Sequence, residues 1–198
     1  MAVTRDQMLA VLNAQRAAFT AELPVSAAVR KDRLKRAIAL LVDHGDAFCK
    51  AMSEDFGHRS HEQSMMTDIT TSIRVLKATI KQVDQWMKPE KRKAEFPLGL
   101  LGAKAAVEFQ PKGVIGIISP WNFPVQLTMG PLTGAFAAGN RVMVKSSEYT
   151  PTVAELFETV GPQYFSEDEA AFFSGGPEVG QAFAGLPFDH ILFTGATG

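Results

Sequence analysis

From Gly113 onward the chain repeats one pattern: a short apolar run, a turn, a helical stretch, and another turn. The apolar runs are Gly113–Ile118, Arg141–Lys145, Ala170–Phe173 and His190–Thr194, and the helical stretches lie at about 124–139, 151–161 and 177–186. Runs this short and this apolar read as buried strands. Strand–helix–strand alternation with short connections implies parallel strands joined by right-handed crossovers. The punctuation agrees. Thr150-Pro151 offers a hydroxyl N-cap followed by proline at the first helical position, and Gly176-Pro177-Glu178 repeats the device with an acid in the first turn. Gly130-Pro131 falls inside the first helical stretch, which either kinks or starts there.

The first half has a different grammar. Leu9, Leu12, Phe19 and Leu23 fall at helical spacing, as do Leu34, Ile38, Leu41, Phe48 and Met52, with Gly57 placed to supply a left-handed cap. Met66, Ile69, Ile73, Leu76, Ile80, Val83 and Met87 alternate steps of three and four, which predicts a long helix with one apolar stripe, ended by Pro89. Lys88 to Lys93 is a basic run without interleaved aromatics, read as a solvated helix end rather than a nucleic-acid patch. Leu98 to Gln110 reads as an extended arm or hairpin. The expected organisation is an α/β fold: an amino-terminal helical region at 1–96, an arm with possible oligomerisation strands at 97–111, and part of a parallel sheet at 112–198.

Composition narrows the function. Hydrophobic content of 46% with 21% charged residues excludes a disordered chain. Twenty Lys+Arg against 21 Asp+Glu leave a net charge of −1, so no global field draws the chain to nucleic acid or an anionic membrane. A single cysteine excludes an internal disulfide or a Cys-rich metal site and points to a reducing compartment. The start, MAVTRDQ, has no apolar signal core, and no apolar run approaches membrane-spanning length. A soluble cytoplasmic protein is expected.

In an open parallel sheet, ligands collect at the carboxyl ends of the strands. That rule selects Ser119–Pro124, Lys145–Glu148, Ser174–Gly180 and Thr194–Gly198. Asn122, between Trp121 and Phe123 and flanked by prolines, could donate from its amide to a developing oxyanion or bond its own backbone in a turn. Lys145 and Glu148 could reach ribose hydroxyls or form a surface ion pair. The small residues before Pro177 suit an anion at a helix start or a plain turn, and match neither G-x-G-x-x-G nor a P-loop. Cys49, beside Phe48 and Met52, reads as a buried structural thiol. His58 and His61 have a permissible metal spacing but no third ligand cluster, so a polar loop is preferred and no metal is expected. His190 reads as a hydrogen-bonded structural histidine.

Taken together and in order, Ser-Pro-Trp-Asn-Phe-Pro, Val-Lys-x-Ser-Glu-x-Thr-Pro, the Gly-Pro-x-x-Gly turn and Phe-Thr-Gly resemble the first half of the aldehyde dehydrogenase superfamily. Glu54-Asp-Phe-Gly57 with Glu62 resembles its early helical region, and Phe-Asp-His-Ile-Leu-Phe-Thr-Gly resembles the class 3 and coniferyl-aldehyde branch. The resemblance covers most of the chain. It implies a Rossmann-like cofactor-binding sheet, NAD or NADP as cofactor, an aromatic or fatty aldehyde as substrate, and a homo-oligomer, a dimer in the complete protein. By position, Asn122 matches the oxyanion-stabilising asparagine, and Lys145 and Glu148 match the pair that holds the adenosine ribose. Ser119, Pro120 and Trp121 match the cofactor cleft, Gly176 and Gly180 the turn and helix under the adenosine and pyrophosphate, and Gly195 and Ala196 the strand end near the pyrophosphate. Ser146 replaces a common proline and Ala196 a common serine. The family's general-base glutamate and nucleophilic cysteine lie beyond Gly198, so the chain by itself is expected to lack covalent chemistry. A non-catalytic nucleotide-binding or assembly module, and an acyl-phosphate or acyl-CoA reductase of the same superfamily, are the alternatives. A sheet ending at its fourth strand is expected to leave an exposed edge and to self-associate.

Overall fold

The computed structural model describes residues 3–195. Helix α1 (Arg5–Glu22) starts on a capping box: the Thr4 hydroxyl accepts from the Gln7 amide and the Gln7 side chain accepts from the Thr4 amide. Helix α2 (Ala27–Phe56) ends at Gly57 with φ 77°, the left-handed cap that glycine adopts without a Cβ clash. Next come α3 (His61–Ser64), a π-helical turn (Met65–Thr70) and α4 (Thr71–Trp86), as one continuous path. Strand β1 (Glu90–Arg92) then pairs antiparallel with β2 (Ala105–Val107), the two joined through a 3₁₀ turn at Leu98–Leu101.

The remainder is the alternating unit: β3 (Val114–Ile118), α5 (Gln126–Ala138), β4 (Arg141–Lys145), α6 (Pro151–Val160), β5 (Ala170–Phe173), α7 (Pro177–Ala184) and β6 (His190–Phe193). The four strands are parallel, in the order β5-β4-β3-β6. Helix α5 runs through Pro131 without ending there.

Alternate side chains of β3, β4 and β5 serve two cores, while edge strand β6 is mostly exposed. Ile115, Ile117, Val142, Val144, Ala170 and Phe172 pack under α2, α4, α5 and α6, while Val114, Met143, Ala171 and Phe173 meet α1 and α7. This two-sided burial explains why the strands read as continuous apolar runs. The chain steps outward from β3 to β4 to β5, then returns to lay β6 on the other side of β3. The strand order therefore reverses between β3 and β6, the kind of switch point at which open parallel sheets take ligands.

Three expectations are corrected. The buried stripe of α1 is Met8, Val11, Leu12 and Gln15, with Leu23 exposed. Polar Gln15 belongs to the stripe because its amide donates to the carbonyls of Val142 and Glu167. Met66 is 67% exposed, because the π turn shifts the helical phase and turns Met65 inward instead. The arm begins at Glu90, not at residue 97: part of the basic run is strand β1, paired with Ala105–Val107.

Candidate active site and cofactor cleft

The four strand tips lie side by side along one edge. Just past each strand the ladder continues by one bond. The Thr194 amide donates to the Ile118 carbonyl (3.0 Å), Ser119 to Lys145 (3.1 Å), and Ser146 to Phe173 (3.1 Å). A proline at position 146 would lack the N–H for the last of these.

At the β4 tip the Lys145 side chain is only 3% exposed. Its Nζ donates to the Ser146 carbonyl (2.6 Å) and lies 4.0 Å from the Glu148 carboxylate, itself 35% exposed. Burial lowers the Lys145 ammonium from its ordinary range, and the charges of Glu148, Glu178 and Glu158 oppose that shift. A hollow of about 310 Å³ opens beside the pair, bordered by Ser147, Glu148, Ser174, Gly175 and Gly176. Gly176 is the N-cap of α7, with Pro177 at its first position. Gly175 has φ +129°, and a Cβ there would crowd Val179. Gly180, one turn into α7, has open space where a Cβ would stand. Gly195 follows the β6 tip beside β3, and Ala196 lies outside the described residues.

At the β3 tip the residues divide. Ser119 is buried, with its hydroxyl accepting from Thr128 (2.8 Å), so it forms the wall rather than a free donor. Trp121 is half-exposed and rests against Phe56, with ring centroids 6.1 Å apart. Asn122 is exposed, and its carboxamide joins no hydrogen bond among the described residues, so the turn does not consume it internally. It borders a second hollow of about 250 Å³ with Phe56, His58, Arg59, Gln63 and Phe123.

The helices that follow these tips are capped from afar. The α5 N-terminus gives its Val125 and Gln126 amides to Asp68 Oδ1 (3.2 and 3.1 Å). The α6 N-terminus gives its Thr152 and Val153 amides to Asp55 (3.0 Å each), while the hydroxyl of Thr150 caps nothing. Arg59 pairs with Asp68 (2.7 Å) and donates to the Asn122 carbonyl (2.8 Å). Asp55, Arg59 and Asp68 were not singled out from the sequence. The only signal was the Glu54-Asp-Phe-Gly57 resemblance.

Cys49 is buried, and desolvation, with the charges of Asp46 and Asp68, pushes its thiol up to about 11. His61 Nε2 faces Asp46 (3.0 Å) at the surface. A further cavity, of about 650 Å³, lies at the opposite end of the sheet, where the hairpin meets the ends of α4 and α5. None of the predicted site residues lines it. Its walls mix Trp86, Met87 and Phe109 with Arg30, Lys88 and Glu90, away from the strand tips where the predicted site residues gather, so the strand-tip edge is the better candidate site.

Residues 1–198 match the model of the "Aldehyde dehydrogenase family" along their whole length. The chain belongs to the aldehyde dehydrogenase family. It is 54% identical over 188 residues to a "probable coniferyl aldehyde dehydrogenase" of Caulobacter vibrioides, covering 94% of this chain and 39% of that protein. It is 46% identical over 195 residues to a coniferyl aldehyde dehydrogenase of a Pseudomonas species, covering 98% and 40%. The chain thus spans about two fifths of the length of the curated relatives it matches. The structure of Staphylococcus aureus AldH in a substrate-bound state superposes with a TM-score of 0.86 at 28% identity, over 93% of this chain and 40% of that one. The NAD⁺ complex of an aldehyde dehydrogenase from Bacillus cereus shares the fold, with a TM-score of 0.80 at 23% identity, over 98% and 39%. The Rossmann-like cofactor-binding architecture is therefore that of the family. Among the described residues no helix is long and apolar enough to cross a membrane.

Proposed function

We propose that this chain is the cofactor-binding part of an NAD(P)-dependent aldehyde dehydrogenase that oxidises an aromatic or fatty aldehyde, coniferyl aldehyde foremost, to its carboxylic acid. The observation that carries the reading is the arrangement at the strand tips. A desolvated ammonium and a half-buried carboxylate 4.0 Å apart flank one hollow, and an uncommitted carboxamide borders another on the neighbouring tip.

The residues fit a dinucleotide. Lys145 and Glu148 offer a donor and an acceptor for the adenosine ribose diol. The buried Ser146 and Thr150 hydroxyls beside them have no partner among the described residues. Gly180 has open space where a Cβ would stand, so the α7 backbone there can approach a pyrophosphate, while at Gly176 the Glu178 carboxylate fills the place that a Cβ would take. Gly195 continues that surface past the end of β6, the family resemblance adds Ala196, and Pro120 and Trp121 close the cleft beside Ser119. Bound NAD or NADP supplies the hydride acceptor. The chain's own contribution to the chemistry is Asn122, whose N–H donates to the oxygen that becomes negative when a thiolate adds to the aldehyde. Cys49 is unsuited to be that thiolate, being buried and protonated far above neutrality. The thiolate is therefore supplied from outside these 198 residues, where the family resemblance also puts the general base.

The exposed apolar residues of the hairpin, Phe96, Leu100, Leu101 and Phe109, with Phe193 on edge strand β6, support assembly into a homo-oligomer. The cytoplasm is the matching compartment. The complete gene product, mixed with NAD or NADP and coniferyl aldehyde, benzaldehyde or a long-chain aldehyde, is expected to form the reduced nicotinamide, read at 340 nm. Asn122→Ala should lower kcat by about 10²–10³-fold. The isolated chain should bind the dinucleotide without turning over aldehyde. Binding of neither dinucleotide, or aldehyde oxidation by the isolated chain, would overturn this reading.

A further inference from the structure

We propose that Arg59 is a positioning residue that fixes the orientation of the Asn122 carboxamide and so sets the rate of the chemical step without touching the substrate. The inference rests on the reading of Asn122 as the oxyanion donor.

An oxyanion donor works only if it is already aimed where charge develops, and a misplacement of 1 Å can cost about 10²-fold in rate. Yet nothing holds the Asn122 side chain itself among the described residues. Its aim is set by its backbone, which is held at the Asn122 carbonyl and again just downstream. Arg59 Nη1 donates to the Asn122 carbonyl at 2.8 Å. Arg59 Nη2 donates to Asp68 Oδ2 at 2.7 Å and to Thr67 Oγ1 at 3.0 Å. The other oxygen of Asp68 takes the amides of Val125 and Gln126, three and four residues downstream of Asn122. One guanidinium and one carboxylate thus tie the carbonyl of Asn122 to the first turn of α5. The guanidinium carbon also lies 5.0 Å from the Phe56 centroid and 5.1 Å from that of Phe123, the residue after Asn122.

Both charges are withdrawn from water: the Arg59 side chain is 6% exposed and that of Asp68 is 0% exposed. A buried ion pair is a poor source of stability, because desolvation offsets most of its attraction and apolar residues of similar volume often serve as well. What it does supply is direction. Arginine's flat fork makes several bonds in fixed geometry while stacking on rings, and lysine, a single flexible point charge, does neither.

The test is a double-mutant cycle in the complete enzyme, with Arg59→Lys and Asn122→Ala made singly and together. Arg59→Lys is expected to lower kcat by about 10- to 100-fold with the KM for the dinucleotide unchanged. In the Asn122→Ala background the same change should lower kcat no further, because the group it aims is gone. Unchanged kcat in folded Arg59→Lys, or equal loss in both backgrounds, overturns the proposal and leaves a merely structural role. If Arg59→Lys fails to fold, Asp68→Asn, which keeps an acceptor for the two α5 amides, carries the same cycle with the same expected outcomes. Full kcat in Asn122→Ala alone would instead sink the reading of Asn122, and this inference with it.

Discussion

Lowering the pH, and comparing the native chain with Glu169→Gln, probes the polar network that holds α2 against the base of β5. The Glu169 side chain, 17% exposed, accepts from Arg36 Nη1 and Nη2 (2.7 and 2.9 Å) and from Arg33 Nε (3.1 Å). Burial alone would raise its carboxyl, but hydrogen bonds from Arg36 and Arg33, with their charges, override it and bring the pKa down from 4.5 to about 2. The folded value lies below the unfolded one, so the unfolded chain binds the proton more readily. The stabilisation is therefore complete above about pH 4.5 and is lost as pH falls toward 2. A difference of 2.5 units corresponds to about 3 kcal/mol at most, a large part of the 5–15 kcal/mol typical of a domain. Glu169→Gln should cost about 3 kcal/mol at pH 7, because it also leaves fully buried Arg33 with Glu22 as its only carboxylate. Urea unfolding followed by far-ultraviolet circular dichroism at pH 7, 5, 4 and 3 measures both effects. The variant should start weaker and lose less than the native chain between pH 5 and 3. Parallel loss in the two proteins would refute the argument, since the other carboxylates titrate in both.

Asp55→Ala removes both acceptors of the α6 amides and a favourable charge at that helix start, and should cost about 1–2 kcal/mol in chemical denaturation. The same variant should weaken dinucleotide binding, because the Ser146–Thr150 loop that carries Glu148 leads directly into α6. Cys49 should resist a thiol-specific disulfide reagent at pH 8 in the native chain and react fully in guanidinium, since burial keeps its thiol protonated.

Much of this architecture was legible because it is local. Gly57, the Gly176-Pro177 helix start and the four apolar strands each follow from a few adjacent residues, and their parallel order follows from the short crossovers between them. What escaped was long-range or out of period. Asp55 caps a helix that begins 96 residues later and Asp68 one that begins 58 later, and no spacing rule links such partners. Gln15 gives no local signal, because the Val142 and Glu167 carbonyls that its amide meets lie 127 and 152 residues away. The Met65–Thr70 turn broke an otherwise regular stripe, because a π turn inserts a residue without changing composition. Strand β1 was hidden because a basic run has little strand propensity, and its pairing with Ala105–Val107 is set across the turn at 98–101. At the site, the resemblance implies roles for Asn122, Lys145 and Glu148, but the clamp behind Asn122 joins residues 63 positions apart and leaves no local trace.

Isothermal titration of NAD and NADP into the native protein, Lys145→Met and Glu148→Gln reaches the heart of the account. Saturable one-site binding that each substitution weakens at least about tenfold, a loss of about 1.4 kcal/mol, is the predicted result. Native-like affinity in both variants would mean that the dinucleotide does not lie across the β4 tip, and that the strand-tip edge has been misassigned.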